Sequence, residues 1–210
     1  MPAATDSPHA QADYQVRLDW GRDGLARLAP ADVVVVVGVL GLSARALAAA
    51  EAGGRLDIAA DAGEAAHVAR AAAATGAPVV AGGIRNAAGV AAHVLDVQRR
   101  RGERTSIAVI AAGESTPDAA TLRFAVEDLL GAGAVIAALG DLGIDHASPD
   151  AAVAGEGFRA LHGAVRHLLT ASGTGRALAD AGRRDAVLEA AARDAASVVP
   201  VLRDGVFAAG

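Results

Sequence analysis

The chain has 210 residues, of which 53% are hydrophobic and 2% aromatic, and its formal net charge is −5 at pH 7. This length and apolar content suit one sizeable core, whereas the acidic balance and scarce aromatic residues argue against a nucleic-acid-binding surface. Apolar runs such as Val33–Val37 are too short to span a bilayer, and no cysteine is present for a disulfide or a thiolate metal site. Because the polar N-terminus lacks the pattern of a secretory signal, we expect a cytoplasmic protein without a membrane or nucleic-acid partner.

The first predicted element is a flexible leader at residues 1–12, and residues 13–210 are expected to form a single domain. Residues 14–20 alternate in polarity and predict a half-exposed strand. The valine run at 32–37 has no period, which is typical of a strand buried on both faces of a parallel sheet. Further strands are expected at 56–60, 78–81 and 106–111. Alanine-rich helices are expected between the strands, at 44–52, 63–74 and 86–98.

The second half of the chain is predicted to be mostly helical. A long helix is expected from about residue 121 to residue 139, and Ser148 followed by Pro149 indicates the start of another. Helices continue to about residue 193, and residues 197–202 indicate an edge strand or an extended tail. Alternation of strands and helices implies a parallel sheet covered on both faces. We therefore predict a three-layer α/β/α domain with a mostly parallel central sheet and a helical C-terminal part.

Ligand sites in parallel sheets lie beyond the carboxyl ends of the strands, where loops lead into helices. Three glycine-containing loops qualify, at residues 38–43, 82–86 and 113–118. Arg85, in the second loop, is suited to binding a phosphate or a sulfonate, with Gly83 and Asn86 beside it. The alternative is that Asn86 only caps its helix and that Arg85 lies in solvent.

Acidic and hydroxyl residues supply the other candidate site residues. Glu127 and Asp128 are adjacent in the predicted long helix, and one of them could bind Mg²⁺ with water completing its coordination. A solvated charge pair is the alternative, with Arg123 as an ordinary helical partner four residues before Glu127. Ser43 and Ser115 lie in turns, but no histidine and aspartate at a recognisable spacing make either one a triad nucleophile.

Several short segments match, in the same order, the motifs of one enzyme family. The longest are 82–91, which contains Asn-Ala-x-x-Val-Ala, and 126–134, which contains Glu-Asp-x-x-x-Ala-Gly-Ala. The other matching segments lie at 35–44, 107–113, 148–151, 172–173 and 197–200. Through these segments the chain resembles the 2-phosphosulfolactate phosphatase family over most of residues 13–207.

The resemblance implies an α/β phosphohydrolase that uses Mg²⁺. Its substrate would be a small anionic phosphoester such as 2-phospho-3-sulfolactate, which carries a sulfonate. The resemblance assigns catalytic roles to Glu127, Asp128 and Ser43, and it makes Glu127 and Asp128 the metal ligands as well. The substrate-binding residues that it implies are Gly83, Arg85, Asn86, Gly113 and Ser115.

The turn after the valine strand departs from the family pattern. Where the family normally reads Asp-Val-Leu-Arg-Ala-Thr, this chain has Gly38 and Gly41 in place of the aspartate and the arginine, and Ser43 keeps a hydroxyl. The alternative function is therefore a catalytically impaired homologue that binds an anion or a small molecule, or that serves as a scaffold.

The alanine-rich helices on the surface would also suit a homodimer contact.

Overall fold

The computed structural model describes residues 7–115 and 121–210. A seven-stranded sheet lies between two layers of helices, which confirms the predicted three-layer α/β/α architecture. A separate antiparallel pair of two-residue strands, Glu114–Ser115 and Leu122–Arg123, follows the sheet's last parallel strand in the chain. The strands are β1 (Val16–Trp20), β2 (Val33–Val37), β3 (Leu56–Asp57), β4 (Val79–Gly82), β5 (Ile107–Ala111), β6 (Glu114–Ser115), β7 (Leu122–Arg123), β8 (Pro200–Arg203) and β9 (Val206–Ala209).

The helices divide into two layers, one on each face of the sheet. They are α1 (Gly21–Arg27), α2 (Leu42–Glu51), α3 (Glu64–Ala73), α4 (Ala87–Arg101), α5 (Val126–Asp141), α6 (Pro149–Leu161), α7 (Val165–Ala171), α8 (Gly173–Asp180) and α9 (Arg184–Ala190). Buried side chains of α2 and α3 pack on one face, and those of α4 to α7 and α9 pack on the other. In the part of the chain that the structure describes, no helix is long and apolar enough to cross a membrane.

The strands follow the order β1-β5-β2-β4-β8-β9-β3 across the sheet. The first four strands are mutually parallel, which confirms the prediction of a mostly parallel sheet. Every residue of β2 and of β5 is buried, because helices cover both faces of these central strands. The absence of polar alternation in the two segments follows from this burial.

The far side of the sheet differs from the prediction. Residues 197–202 were expected to form an edge strand or an extended tail, but β8 lies inside the sheet, antiparallel to both β4 and β9. The two-residue β3 is the edge strand on this side, and it pairs antiparallel with β9. Asp204 and Gly205 connect β8 to β9 with positive φ angles of 50° and 77°, a conformation typical of a tight hairpin turn.

Helix α5 begins at Val126, later than the predicted start near residue 121, because Leu122–Arg123 pairs with Glu114–Ser115.

Two glycines let the buried helix α5 approach its neighbours closely. A Cβ atom on Gly131 would lie 2.3 Å from Val39 Cγ2, and one on Gly133 would lie 2.2 Å from the Ala154 carbonyl oxygen. Residues with side chains at these two positions would therefore push α5 away from the sheet or from α6.

The outer edge of β1 is covered by two other parts of the chain. The Gln11 side-chain amide donates to the Leu18 carbonyl at 2.8 Å and accepts from the Leu18 amide at 3.1 Å. At the start of β1, the Val16 amide donates to the His146 carbonyl, and the Val16 carbonyl accepts from the Ser148 amide. Gln11 belongs to the predicted leader, of which residues 1–6 lie outside the described residues.

Candidate functional site

A cavity of about 550 Å³ lies at the carboxyl ends of β2 and β5. The turn after β2 contributes Gly38 and Gly41 to its wall, and the turn after β5 contributes Gly113. The first turns of α3 and α5 add Glu64 and Glu127. We call this space the strand-end cavity. Its position is the usual one for a ligand site in a parallel sheet.

Asp128 connects the two turns that border the strand-end cavity. Its carboxylate accepts hydrogen bonds from the Val39 amide at 2.7 Å and from the Gly113 amide at 3.0 Å. Burial raises the pKa of Asp128 to about 8. The nearby Glu127 and Glu114 carboxylates also raise this pKa, whereas the two backbone hydrogen bonds lower it. Asp128 therefore holds two backbone segments in place, and burial favours its protonated form more than that of an ordinary aspartate.

Glu127 lines the cavity beside Asp128 and is only 3% exposed. Within residues 7–115 and 121–210, no hydrogen bond or ion pair reaches its carboxylate. A carboxylate at the wall of a partly desolvated cavity is favoured when a cation or a hydrogen-bond donor enters the cavity and compensates its charge. Glu127 therefore has the environment of a ligand-binding carboxylate.

Helices α2 and α3 both begin at the strand-end cavity without a capping side chain. Gly41 precedes α2 and Gly63 precedes α3, and both glycines line the cavity. The first amides of a helix have no intrahelical acceptor, and the helix dipole favours negative charge at that end. Two ten-residue helices therefore direct their N-termini towards this space, a suitable arrangement for a phosphate group.

Gly113 and Ser115 also lie on the strand-end cavity, but their polar groups are engaged within the protein. The Gly113 amide donates to Asp128, and the Ser115 hydroxyl donates to Glu64 at 2.8 Å. Although burial acts to raise the pKa of Glu64, hydrogen bonds from Ser115 and from the Arg22 backbone and side chain hold it below its ordinary value. The Ser115 hydroxyl is therefore committed to Glu64 at the cavity wall.

A second cavity, of about 170 Å³, lies on the other side of the β2–α2 turn and contains the remaining predicted site residues. Arg85 lines it, and its guanidinium pairs with Glu51 at 2.5 Å and with Glu189 at 3.3 Å. The alternative that Arg85 lies in solvent does not hold, because its side chain is only 18% exposed. Gly83 also borders this second cavity.

Asn86 and Ser43 also line the second cavity. Their side chains form hydrogen bonds with backbone groups. The Asn86 amide donates to the carbonyls of Ala81 and Val198, at 3.2 and 3.3 Å, and it makes no capping bond to α4. The capping alternative for Asn86 is therefore wrong. The Ser43 hydroxyl accepts the Gly38 amide at 3.0 Å, which closes the turn after β2.

The predicted site residues thus fall into two groups, which the structure does not bring together in one cavity. Glu127, Asp128, Gly113 and Ser115 line the strand-end cavity, whereas Ser43, Gly83, Arg85 and Asn86 line the second cavity. The strand order explains the separation. Strand β2 lies between β5 and β4, so the turn after β2 separates the loops that follow β5 and β4.

Several polar residues that line the strand-end cavity were not among the predicted site residues; they are Arg45, Asp61, Glu64, Glu114 and Thr174. Arg45 lies one helical turn after Gly41 and forms an ion pair with Asp61. Asp61 also accepts the Gly63 amide at 2.8 Å, just before α3 begins. An Asp two residues before a glycine at a helix start is the local signal that could have indicated this turn.

The family of the chain is identified by a comparison with family models. The model of 2-phosphosulpholactate phosphatase matches residues 55–205 of the 210. The chain belongs to this family. The match begins at residue 55, so the turn after β2, with Gly38 and Gly41, lies outside it. A search of curated proteins finds no match.

The Mg²⁺ that the 2-phosphosulfolactate phosphatase family implies can be tested against the residues around the strand-end cavity. Within the described ranges, no three His, Asp or Glu side chains lie close enough together to hold a metal ion. Asp128 does not fit as a ligand, because backbone amides engage both of its oxygens. Glu127 does fit, since Mg²⁺ needs only one or two protein carboxylates when a substrate phosphate and water complete its coordination.

Proposed function

We propose that the chain is a Mg²⁺-dependent phosphatase that hydrolyses a small phosphate monoester in the strand-end cavity. Membership of a phosphatase family supports a phosphoric monoester hydrolase in general. The observation that carries the proposal to this cavity is the carboxylate of Glu127, a 3% exposed residue that pairs with none of the other described residues, next to the N-termini of α2 and α3, which no side chain caps. A cation site beside an anion site is what phosphoryl transfer requires.

In this proposal each group of the cavity has one role. The first-turn amides of α2 and α3 bind the phosphate oxygens, and Glu127 holds the metal ion. Asp128 acts as a positioning residue, because it fixes the Val39 and Gly113 amides on either side of the phosphate. When bound, Mg²⁺ supplies charge stabilisation at the phosphoryl oxygens and makes a bound water more acidic.

The test is phosphate release from a panel of monoesters, including 2-phospho-3-sulfolactate, with Mg²⁺ and with a chelator. We expect turnover that the chelator abolishes. Glu127→Gln should lower kcat/KM by about 10² or more, because an isosteric amide is a poor Mg²⁺ ligand. Glu156→Gln is the matched control, since the side chain of Glu156 is 77% exposed on α6. Undiminished turnover by Glu127→Gln would remove the assigned role of this carboxylate.

The second candidate function is binding of an anion or a small molecule without turnover. The observation that favours it is the turn at Gly38, where a Cβ atom would lie 2.9 Å from Ala65 Cβ. An acidic side chain at position 38, as in the pattern that the sequence resembles, would therefore require the present packing against α3 to shift. Thermal unfolding in the presence of the same monoesters distinguishes the two functions. A ligand at 100 times its Kd stabilises the protein by about 2.7 kcal/mol, and binding without phosphate release supports the second function.

A further inference from the structure

The strand-end cavity has a buried end and an exposed end. Glu127 and Asp128 line the buried end, since they are only 3% and 4% exposed, whereas the side chain of Arg45 is 48% exposed. A volume of about 550 Å³ is typical of sites that hold a whole small molecule rather than a phosphate group alone. In the proposed function the metal ion lies at the buried end, so the organic part of the substrate extends towards Arg45.

Arg45 is the one basic residue among the described residues that line the strand-end cavity. Positions 116–120, which lie outside the described residues, contain no lysine, arginine or histidine. Arg45 also borders the second cavity, but its guanidinium lies on the strand-end side, because it pairs with Asp61, which lines the strand-end cavity and not the second. A positive side chain for an acidic group in the strand-end cavity therefore comes from Arg45.

The ion pair with Asp61 orients Arg45 and leaves most of its hydrogen-bond donors unused. Arg45 Nη2 donates to Asp61 Oδ2, and Asp61 Oδ1 accepts the Gly63 amide at 2.8 Å, which fixes the carboxylate. A guanidinium has five N–H donors in a planar fork, and among the described residues only Asp61 accepts a hydrogen bond from Arg45. The remaining donors are suited to the oxygens of a carboxylate or a sulfonate.

The location of Arg45 is unfavourable for the helix that carries it. Arg45 is the fourth residue of α2, and the first turn of this helix contains no acidic residue. The helix dipole opposes a positive charge close to the N-terminus, and an ion pair with a half-exposed arginine contributes little to stability. Positions that break a local rule of this kind are expected at functional sites.

We infer, on the basis of the proposed phosphatase function, that Arg45 determines specificity by binding an acidic group on the organic part of the substrate. This group is a carboxylate or a sulfonate, and either one offers two oxygens to the guanidinium fork. Arg45 then discriminates among phosphate monoesters without contacting the reacting phosphoryl group. Its loss should therefore weaken the reaction of acidic substrates and spare that of neutral ones.

Three phosphate monoesters test the inference. Glycerol 2-phosphate is neutral in its organic part, 2-phosphoglycerate has a carboxylate in place of one hydroxymethyl group, and 2-phospho-3-sulfolactate has both a carboxylate and a sulfonate. Wild type should have the higher kcat/KM for at least one acid. Arg45→Gln should lower kcat/KM for that acid by about tenfold or more, and that for glycerol 2-phosphate by less than about twofold.

The pattern of loss identifies the group that Arg45 binds. A selective loss with 2-phosphoglycerate indicates the carboxylate, and a selective loss with 2-phospho-3-sulfolactate alone indicates the sulfonate. A wild-type preference for glycerol 2-phosphate, an equal loss with all three compounds, or no loss with any overturns the inference and leaves the phosphatase function intact.

Two further variants separate the charge of Arg45 from effects on local folding. Arg45→Lys keeps a positive charge without the guanidinium fork, so it should retain part of the preference for the acid. Arg166→Gln is the matched control, because it makes the same substitution at an exposed position of α7, and it should keep the wild-type ratio.

Calorimetric titration with the reaction product 3-sulfolactate tests the contact without turnover. Arg45→Gln should raise the Kd for 3-sulfolactate by about tenfold, and Arg166→Gln should leave it unchanged. If none of the three monoesters is hydrolysed, the phosphatase function is overturned, and this titration decides the role of Arg45. No binding by wild type, or an equal Kd for wild type and Arg45→Gln, then overturns the inference as well.

Discussion

The carboxylate of Asp128, in the first turn of α5, accepts the backbone amide of Val39 at 2.7 Å, although the two residues are 89 positions apart. Its second oxygen accepts the Gly113 amide at 3.0 Å. A single buried side chain therefore fixes the turn after β2 relative to the turn after β5. The shape of the strand-end cavity depends on this connection, and so does the stability of the protein.

Asp128→Asn should lower the free energy of unfolding by about 1–3 kcal/mol, because the amide nitrogen cannot accept a hydrogen bond and leaves a buried backbone amide without a partner. Denaturant unfolding at pH 7 measures the change. Asp145→Asn, which makes the same substitution at an exposed loop position, should leave the midpoint nearly unchanged. Equal midpoints for the two variants would show that the Asp128 hydrogen bonds contribute little.

The same residue predicts a pH dependence of stability. Folding raises the pKa of Asp128 from 3.8 to about 8, so between these values the folded state holds a proton that the unfolded chain has released. The stability from this group is therefore complete below pH 4 and is lost as the pH rises towards 8. Burial lowers the pKa of His93, which acts in the opposite direction near pH 6.

The measurement is the difference in unfolding free energy between wild type and Asp128→Asn across pH 4–8. His93 is present in both proteins, so its contribution cancels in the difference. The stabilisation of wild type over the variant should decrease steadily with rising pH. A difference that is constant or that grows with pH contradicts the raised pKa.

Gly131→Ala should destabilise the protein by about 1–3 kcal/mol, because the added methyl group would lie 2.3 Å from Val39 Cγ2 and force α5 outwards. Gly157→Ala is the matched control, since Gly157 lies inside α6 with nothing within 4 Å of a Cβ atom. That control should be neutral or stabilising by up to about 1 kcal/mol. Thermal or denaturant unfolding of both variants tests the close approach of α5 to the sheet.

The two cavities predict different outcomes for Arg85→Ala and Glu127→Gln. Because Arg85 is paired with Glu51 and Glu189 in the second cavity, its loss should change kcat/KM by less than about tenfold. Glu127→Gln should reduce kcat/KM by about 10² or more. Steady-state kinetics on one monoester gives both values. If Arg85→Ala proves the more damaging change, the reaction takes place in the second cavity.

The central strands could be predicted because a strand that is buried on both faces contains only apolar residues, and this pattern is visible in the sequence. Val33–Val37 and the apolar run that forms β5 contain no polar residue, and only a strand covered on both faces buries such a run completely. The hairpin of β8 and β9 could not be predicted from its strands, which have four residues each. The Asp204–Gly205 pair is the local signal that indicates it.

The candidate site could be predicted only in part, because its geometry depends on strand order. The loops after β4 and β5 follow successive parallel strands in the sequence, and both were predicted to contribute residues to one ligand site. In the sheet, β2 separates them, and no local pattern contains that information. Asn86 shows the same limit, because one of its two acceptors is the carbonyl of Val198, 112 residues away.

Gln11 has a consequence for how copies of this chain can associate. By pairing with both backbone groups of Leu18, its side chain substitutes for a neighbouring strand at the centre of β1. An incoming strand from a second copy would first have to displace Gln11 and the segment at 146–148. This edge is therefore protected against the intermolecular strand addition that leads to aggregation, without the lysine residues that often serve this purpose.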